Sequence, residues 1–269
     1  HYPLRRQRQM CIRDRCRNGR WTLDLQRLLD AAEGCKMVMV NSPSNPTGWV
    51  MPQSDWRTLL AFCRQRGIWL VSDDAYQRLV YDDDVTLGRG ETAQATGLLG
   101  EVDANDRFIS ANTFSKTWTM TGWRLGWLVA PPGFIAQLAK IIEFNTSCAP
   151  SFVQRAGIAA VQQGGPLAAA TREALRMNRD ALLAGLTRLP GVEVGRPQGA
   201  MYAFLRLPGS EDSMAFARRL VRDTGVALAP GVAFGPEGEG WLRWCFASGL
   251  PLLEQGIARV SAYLERSGR

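Results

Sequence analysis

Thr113-Phe114-Ser115-Lys116-Thr117-Trp118-Thr119-Met120-Thr121-Gly122-Trp123-Arg124-Leu125-Gly126-Trp127 follows directly on Arg107-Phe108-Ile109-Ser110-Ala111-Asn112, an apolar run that reads as a β-strand. The strand delivers two hydroxyls and an amine to one point, and an arginine stands eight residues beyond the lysine. That is a place to hold a phosphate beside an amine. Lysine is scarce, because only Lys36, Lys116 and Lys140 contribute to the 32 basic residues. Only an amine can lose its proton and form an imine. A chain that supplies its charge with arginine almost everywhere therefore keeps Lys116 for chemistry that a guanidinium cannot perform.

Two further strands lie upstream. Lys36-Met37-Val38-Met39-Val40 and Gly67-Ile68-Trp69-Leu70-Val71 are continuous apolar runs, which predicts strands covered on both faces. The first ends in the turn Asn41-Ser42-Pro43-Ser44-Asn45-Pro46-Thr47-Gly48 and the second in Ser72-Asp73-Asp74-Ala75-Tyr76. Between them Trp56, Leu59, Leu60 and Cys63 recur at helical spacing, with Ser54 as expected cap and Gly67 as terminator. An earlier helix carries Leu25, Leu28, Leu29 and Ala32 on one face, with Thr22 as its expected cap. Strand, helix, strand, with ligand-type residues at the strand tips, predicts a doubly wound α/β arrangement whose tips face one crevice. Gly126-Trp127-Leu128-Val129-Ala130 follows too closely for a helical crossover, so it is expected to run antiparallel. Residues 82–106 read as a surface loop with a short helix. Helices are predicted from Pro131 to Phe144, from Pro150 to Gln163 and, long and rich in Ala, Leu and Arg, from Pro166 to about Leu189. The remainder mixes short strands with two helices, a smaller α+β unit.

The 269 residues carry a net charge of +7, with 46% hydrophobic and 21% charged residues, the make-up of an ordinary water-soluble globular protein. No apolar run is long enough to span a membrane. Residues 1–20 hold seven arginines and one aspartate, so the rest of the chain is nearly neutral and nucleic acid is not an expected partner. Met10-Cys11-Ile12-Arg13-Asp14-Arg15 reads like a translated sequencing adapter, and residues 1–20 are expected to be non-native or disordered. His1 is the lone histidine and the six cysteines form no C-x-x-C pair. A zinc site and Ser-His or Cys-His nucleophile systems are not expected; reduced, mostly buried thiols in a cytoplasmic protein are.

The stretches N-P-T-G (45–48), S-D-D-A-Y (72–76), T-F-S-K-T-W-T-M-T-G-W-R-L-G-W (113–127), P-G-V-A-F-G (230–235) and W-L-R-W-C-F-A (241–247) stand in the order found in the aspartate-aminotransferase-like family. The chain resembles that family, class I/II of the fold type I pyridoxal-5′-phosphate (PLP) enzymes, over roughly residues 20–265. The resemblance implies an incomplete large domain with a mostly parallel sheet over 21–165. A connector helix and small α+β domain follow over 166–269. It implies Lys116 as the Schiff-base lysine and proton carrier, Asp73 paired with the pyridine nitrogen, and Tyr76 and Asn45 on the phenolate oxygen. Thr113, Ser115 and Arg124 would hold the phosphate. Arg243, assisted by Asn45, would hold the substrate carboxylate, with Tyr202 near the substrate side chain. Thr113 departs from the more usual serine but keeps the hydroxyl. It further implies N-terminal strands, a phosphate-binding helix end and a stacking aromatic that are not found in this chain.

The activity so implied is amino-group exchange between an L-amino acid and a 2-oxo acid, by a homodimer in its full-length form. Lyases of the same fold share these motifs. So do regulators that fuse a winged-helix DNA-binding module ahead of the domain, though a near-neutral body argues against that reading. The particular amino acid is not specified by any of these residues.

Overall fold

The structure is a computed structural model and describes residues 14–267. Two strands open it, β1 (Asp14–Arg17) and β2 (Arg20–Leu23), paired antiparallel through Asn18-Gly19. Both turn residues are left-handed, at φ 50° and 71°, as a two-residue hairpin of Asn-Gly type requires. Residues 14–20, expected to be non-native or disordered, thus lie in an ordered hairpin, and the expectation for residues 1–13 lies outside the described residues. Helix α1 (Leu25–Ala32) is capped by Asp24, whose carboxylate accepts the Arg27 N–H at 3.1 Å. Thr22, the expected cap, is taken up in β2. Strand β3 (Met37–Asn41), helix α2 (Gln53–Arg66) and strand β4 (Trp69–Asp73) form the predicted strand, helix, strand unit. Pro52 precedes α2 without a side-chain cap, and Ser54 Oγ bonds Asp55 instead. Gly67 terminates α2 at φ 64° as expected.

The loop that follows contains a two-stranded ladder, β5 (Thr86–Leu87) with β6 (Gln94–Ala95), and two 3-10 turns. Then come β7 (Phe108–Thr113) and β8 (Gly126–Val129). The first sheet has the order β3-β4-β7-β8, parallel across the first three and antiparallel at β8. Three helices follow: α3 (Pro132–Thr146), α4 (Ser151–Gln163) and α5 (Gly165–Leu186). The second sheet is wholly antiparallel, in the order β11-β12-β10-β9, from β9 (Glu193–Val194), β10 (Tyr202–Arg206), β11 (Ala229–Pro230) and β12 (Leu242–Cys245). Helix α6 (Ser213–Thr224) precedes β11, and α7 (Leu250–Ser267) ends the described chain.

Two apolar cores position the site. One packs α2 against the first sheet through Trp56, Leu59, Leu70 and Phe108, and includes Phe204 of β10 and Trp241 just ahead of β12. The other gathers the second sheet, α5, α6 and α7, and includes Tyr76 and Leu79 from the segment after β4. The first core therefore draws on both sheets, and the second joins the second sheet to the segment that follows β4. The strands depart from the expected two-sided cover. In β3 burial alternates, with Val38 and Val40 inside while Met37 and Met39 are 53% and 63% exposed, and β8 is exposed throughout. The outer sides of α3 and α4 expose Ile141, Phe144 and Phe152. The expectation of mostly buried thiols also fails: among the described cysteines Cys35, Cys148 and Cys245 are exposed, Cys16 is half-buried and Cys63 is buried, its pKa raised to about 11 by burial.

Candidate active site

Strands β3, β4 and β7 end side by side, in the register Asn41 opposite Asp73 and Asp73 opposite Ala111. Asn41 ties the first two tips together. Its amide donates to the Asp73 carbonyl at 3.2 Å, and its side-chain oxygen accepts the Asn45 N–H at 2.7 Å. The turn carrying Asn45 is pinned from the far side as well, because the Gly48 carbonyl accepts the N–H groups of Gln198 (2.8 Å) and Gly199 (2.9 Å), just ahead of β10. This places Asn45 Oδ1 at 2.8 Å from Nη1 of Arg243 on β12. A residue pair 198 positions apart in sequence is thus joined across the two sheets.

Asp73 is half-buried, and its Oδ1 accepts the Ala75 N–H at 3.2 Å. Burial pushes its carboxyl above the usual carboxylate range. Three residues on, the buried Tyr76 meets Tyr202 of β10, hydroxyl to hydroxyl at 3.1 Å with the rings edge to face. Burial, then the bond to Tyr202, pushes the Tyr76 phenol up. Lys116 Nζ lies 5.9 Å from the centre of the Tyr76 ring. Beside the lysine, Thr113 Oγ1 is 2.9 Å from Ser115 Oγ and accepts the Ser115 N–H at 3.1 Å, so the two hydroxyls form one polar lip. Arg124 adopts a left-handed backbone at φ 53° and is exposed. Its guanidinium donates to the Thr121 carbonyl at 2.8 Å and makes no hydrogen bond to the other candidate residues described.

Arg243 is enclosed between aromatic faces, its guanidinium 4.3 Å from the ring centre of Tyr202 and 4.9 Å from that of Phe234. Its Nε is buried with no hydrogen-bond partner among the described residues, a costly state for a cationic donor unless an acceptor arrives. The contacts therefore link Asn45 with Arg243, Asp73 with the same strand tips, and Tyr76 with Lys116, and join Thr113 to Ser115, while Arg124 makes no described contact with these residues.

The model of the family described as aminotransferase class I and II matches residues 7–255. The chain belongs to that family. Among class I and II aminotransferases it is 33% identical over 227 residues to the arginine–pyruvate transaminase of Pseudomonas aeruginosa, covering 84% of this chain and 55% of that protein. To the probable N-acetyl-LL-diaminopimelate aminotransferase of Bacillus subtilis it is 34% identical, covering 85% and 55%. The chain spans about half the length of the curated relatives it matches. Among solved structures, the aspartate aminotransferase of Rhizobium meliloti superposes with a TM-score of 0.80 at 29% identity, over 91% of this chain and 62% of that one. That of Thermotoga maritima gives 0.77 at 29%, over 88% and 60%. The fold is that of the fold type I enzymes, and the family match begins at residue 7, inside the segment expected to be foreign.

Sequence reasoning missed several residues that build this aminotransferase-family site. Asp74 is buried, its two oxygens accepting from Ser72 Oγ at 2.6 Å on β4 and from Ser110 Oγ on β7. Burial pushes its carboxyl up, against the two serine bonds. The signal was present, since serines 72 and 110 stand in register on adjacent parallel strands. Asn41 and Phe234 lay inside quoted motifs without a role. Tyr202, expected near the substrate side chain, places its hydroxyl on Tyr76 and its ring face on Arg243.

Proposed function

We propose that the protein is a PLP-dependent amino-acid aminotransferase, exchanging the amino group of an L-amino acid with a 2-oxo acid. The observation that carries the reading is the meeting of Lys116, Tyr76, Asp73 and the Asn45–Arg243 pair at adjoining strand tips. These residues fit the coenzyme and its substrate on three counts. Asp73 is a carboxyl in a desolvated place with one backbone partner, suited to a cationic ring nitrogen. Lys116 forms no ion pair among the described residues, leaving its amine available to a carbonyl. The orphaned Nε of Arg243 suits an incoming carboxylate, with Asn45 holding Nη1 in place.

When bound, the coenzyme supplies an aldehyde that condenses with amines and a ring that accepts electrons. The chain's residues do the rest. Arg243 binds and orients the substrate carboxylate, and the aromatic walls of Tyr202 and Phe234 exclude water from that pair. Lys116 Nζ moves the proton at the substrate Cα, and Tyr76 and Asn45 donate hydrogen bonds to the coenzyme's phenolate oxygen. Thr113, Ser115 and the mostly unengaged guanidinium of Arg124 take the phosphate. Residues 21–165 carry the coenzyme groups and 166–269 the carboxylate arginine, which is the basis for dividing the chain into a coenzyme unit and a smaller substrate unit. A homodimer, a cytoplasmic location and a role in amino-acid metabolism accompany this reading.

The test is reduction with borohydride in the presence of pyridoxal phosphate, followed by peptide mapping. The label is expected on Lys116 and absent from Lys116→Ala, with Lys36 and Lys140 as internal controls. Equal labelling of all three lysines, or none, overturns the assignment.

A further inference from the structure

Tyr202 stands between two candidate site residues and touches both. Its hydroxyl is 3.1 Å from that of Tyr76, and the Arg243 guanidinium lies 4.3 Å above its ring. Both phenols are buried, at 5% and 7% exposure, so their hydroxyls compete with little water for partners. A single bond between two hydroxyls has a direction, since one donates and the other accepts. The cation on the ring face withdraws electron density from the Tyr202 oxygen, so the charge on Arg243 tunes how that oxygen shares a proton with Tyr76. The direction the pair takes decides whether the Tyr76 proton is engaged by Tyr202 or left for a second partner. Lys116 Nζ lies 5.9 Å from the centre of the Tyr76 ring.

We propose that Tyr202 is a positioning residue that fixes the direction of the Tyr76 hydroxyl and relays to it the occupancy of Arg243. The inference deepens the aminotransferase reading and rests on it for the identity of the carboxylate ligand. A carboxylate that engages Arg243 neutralises part of the charge over the Tyr202 ring and moves the guanidinium relative to it. The donor strength of Tyr202 changes with it, and so does the hydroxyl of Tyr76. Arrival of a substrate carboxylate on the second sheet is thereby signalled at the tip of β4 without displacement of a strand.

The chain holds only five tyrosines, so tyrosine labelled with 13C at Cζ yields a spectrum simple enough to assign by substitution. In the intact 269-residue chain, Tyr202→Phe keeps the ring over Arg243 and removes the hydroxyl; the Tyr76 resonance is expected to shift. Should Tyr202→Phe fail to fold, Tyr76→Phe provides the reciprocal measurement on the Tyr202 resonance. Adding 2-oxoglutarate as the carboxylate probe is expected to move the Tyr76 resonance in the unsubstituted chain and to leave it in place in Tyr202→Phe. Arg243→Gln should abolish the response in the otherwise unsubstituted chain. An unmoved Tyr76 resonance in Tyr202→Phe overturns the hydroxyl pair. A 2-oxoglutarate response that survives Tyr202→Phe overturns the relay. If the probe binds as well to Arg243→Gln as to the unsubstituted chain, the carboxylate reading of Arg243 fails, while the outcome of Tyr202→Phe alone still decides the pair.

Discussion

Gly48, the last residue of N-P-T-G, is where backbone geometry and site assembly depend on each other most directly. It sits at φ 71°, and a Cβ placed on it would lie 2.4 Å from Pro197 Cβ and 2.9 Å from the Gly199 carbonyl oxygen. Gly34 has nearly the same backbone angle, φ 75°, but a Cβ placed there would meet nothing within 4 Å. The pair separates conformational cost from steric cost. A left-handed alanine costs about 1–2 kcal/mol, offset by about 0.4–1 kcal/mol from the stiffer unfolded chain, so Gly34→Ala should lose about 1 kcal/mol. Gly48→Ala adds the overlap with Pro197 and Gly199, about 1–3 kcal/mol, for a total loss of about 2–4 kcal/mol. Urea unfolding of both variants and the unsubstituted chain measures the difference. Because the Gly48 carbonyl anchors the turn to Gln198 and Gly199, Gly48→Ala should also slacken the Asn45–Arg243 bond and weaken the 2-oxo acid binding proposed above, while Gly34→Ala leaves any such binding unchanged. Equal losses of stability in the two variants would refute the steric part of this reasoning.

Asp74 gives a pH-dependent expectation. Burial raises its folded proton affinity above that of the unfolded chain, so between the two pKa values the native state holds more protons and stability falls as pH rises. Asp74→Asn removes that titration while keeping partners for Ser72 and Ser110. Its urea midpoint should exceed that of the unsubstituted chain at neutral pH, by a margin that shrinks toward acid; a margin independent of pH counts against a burial-raised carboxyl. Arg179 is 2% exposed and donates to Asp82 and to the Pro197 carbonyl, each at 3.1 Å, and to Asp180 at 2.9 Å. Arg179→Met should cost about 3–5 kcal/mol in urea unfolding, with part recovered by adding Asp82→Asn. The exposed apolar side chains of α3 and α4, with Phe144 at 97% and Phe152 at 67%, should drive self-association at micromolar concentration. Light scattering should show it, and the double substitution Phe144→Ser with Phe152→Ser should reduce it; a monodisperse unsubstituted chain counts against this.

The legible parts of the fold were those written locally. Met37 to Val40, Trp69 to Val71 and Phe108 to Asn112 are short apolar runs ending in turn residues, and each strand formed within two residues of its expected place. The antiparallel direction of β8 followed from the length of the preceding loop alone. Caps were less legible, because Thr22, Asp24, Pro52 and Ser54 are all plausible starts and neighbouring contacts choose among them. The two-sided cover of β3 was misread for another reason: Met37 and Met39 are apolar whether or not anything packs on them, and composition does not record what covers a face.

The site divides along the same line. Asp73, Tyr76, Thr113, Ser115 and Lys116 are set by the ends of single strands, so motif and geometry coincide. The pairings that turn a row of strand tips into an enclosed site are Asn45 with Arg243, Tyr76 with Tyr202 and Gly48 with Gly199, and every one spans more than a hundred residues. No local pattern specifies them. They share one physical route, since β10, β12 and the segment leading into β10 supply the second-sheet partner in all three. Two packed cores, one with side chains from both sheets and one joining the second sheet to the segment after β4, hold that sheet against the tips. Loosening β10 should therefore release the three contacts together rather than one at a time, and double substitutions across them should lose less than the sum of the single ones. Strict additivity between Gly48→Ala and Tyr202→Phe would show that the contacts are independent and that the second sheet is not their common support.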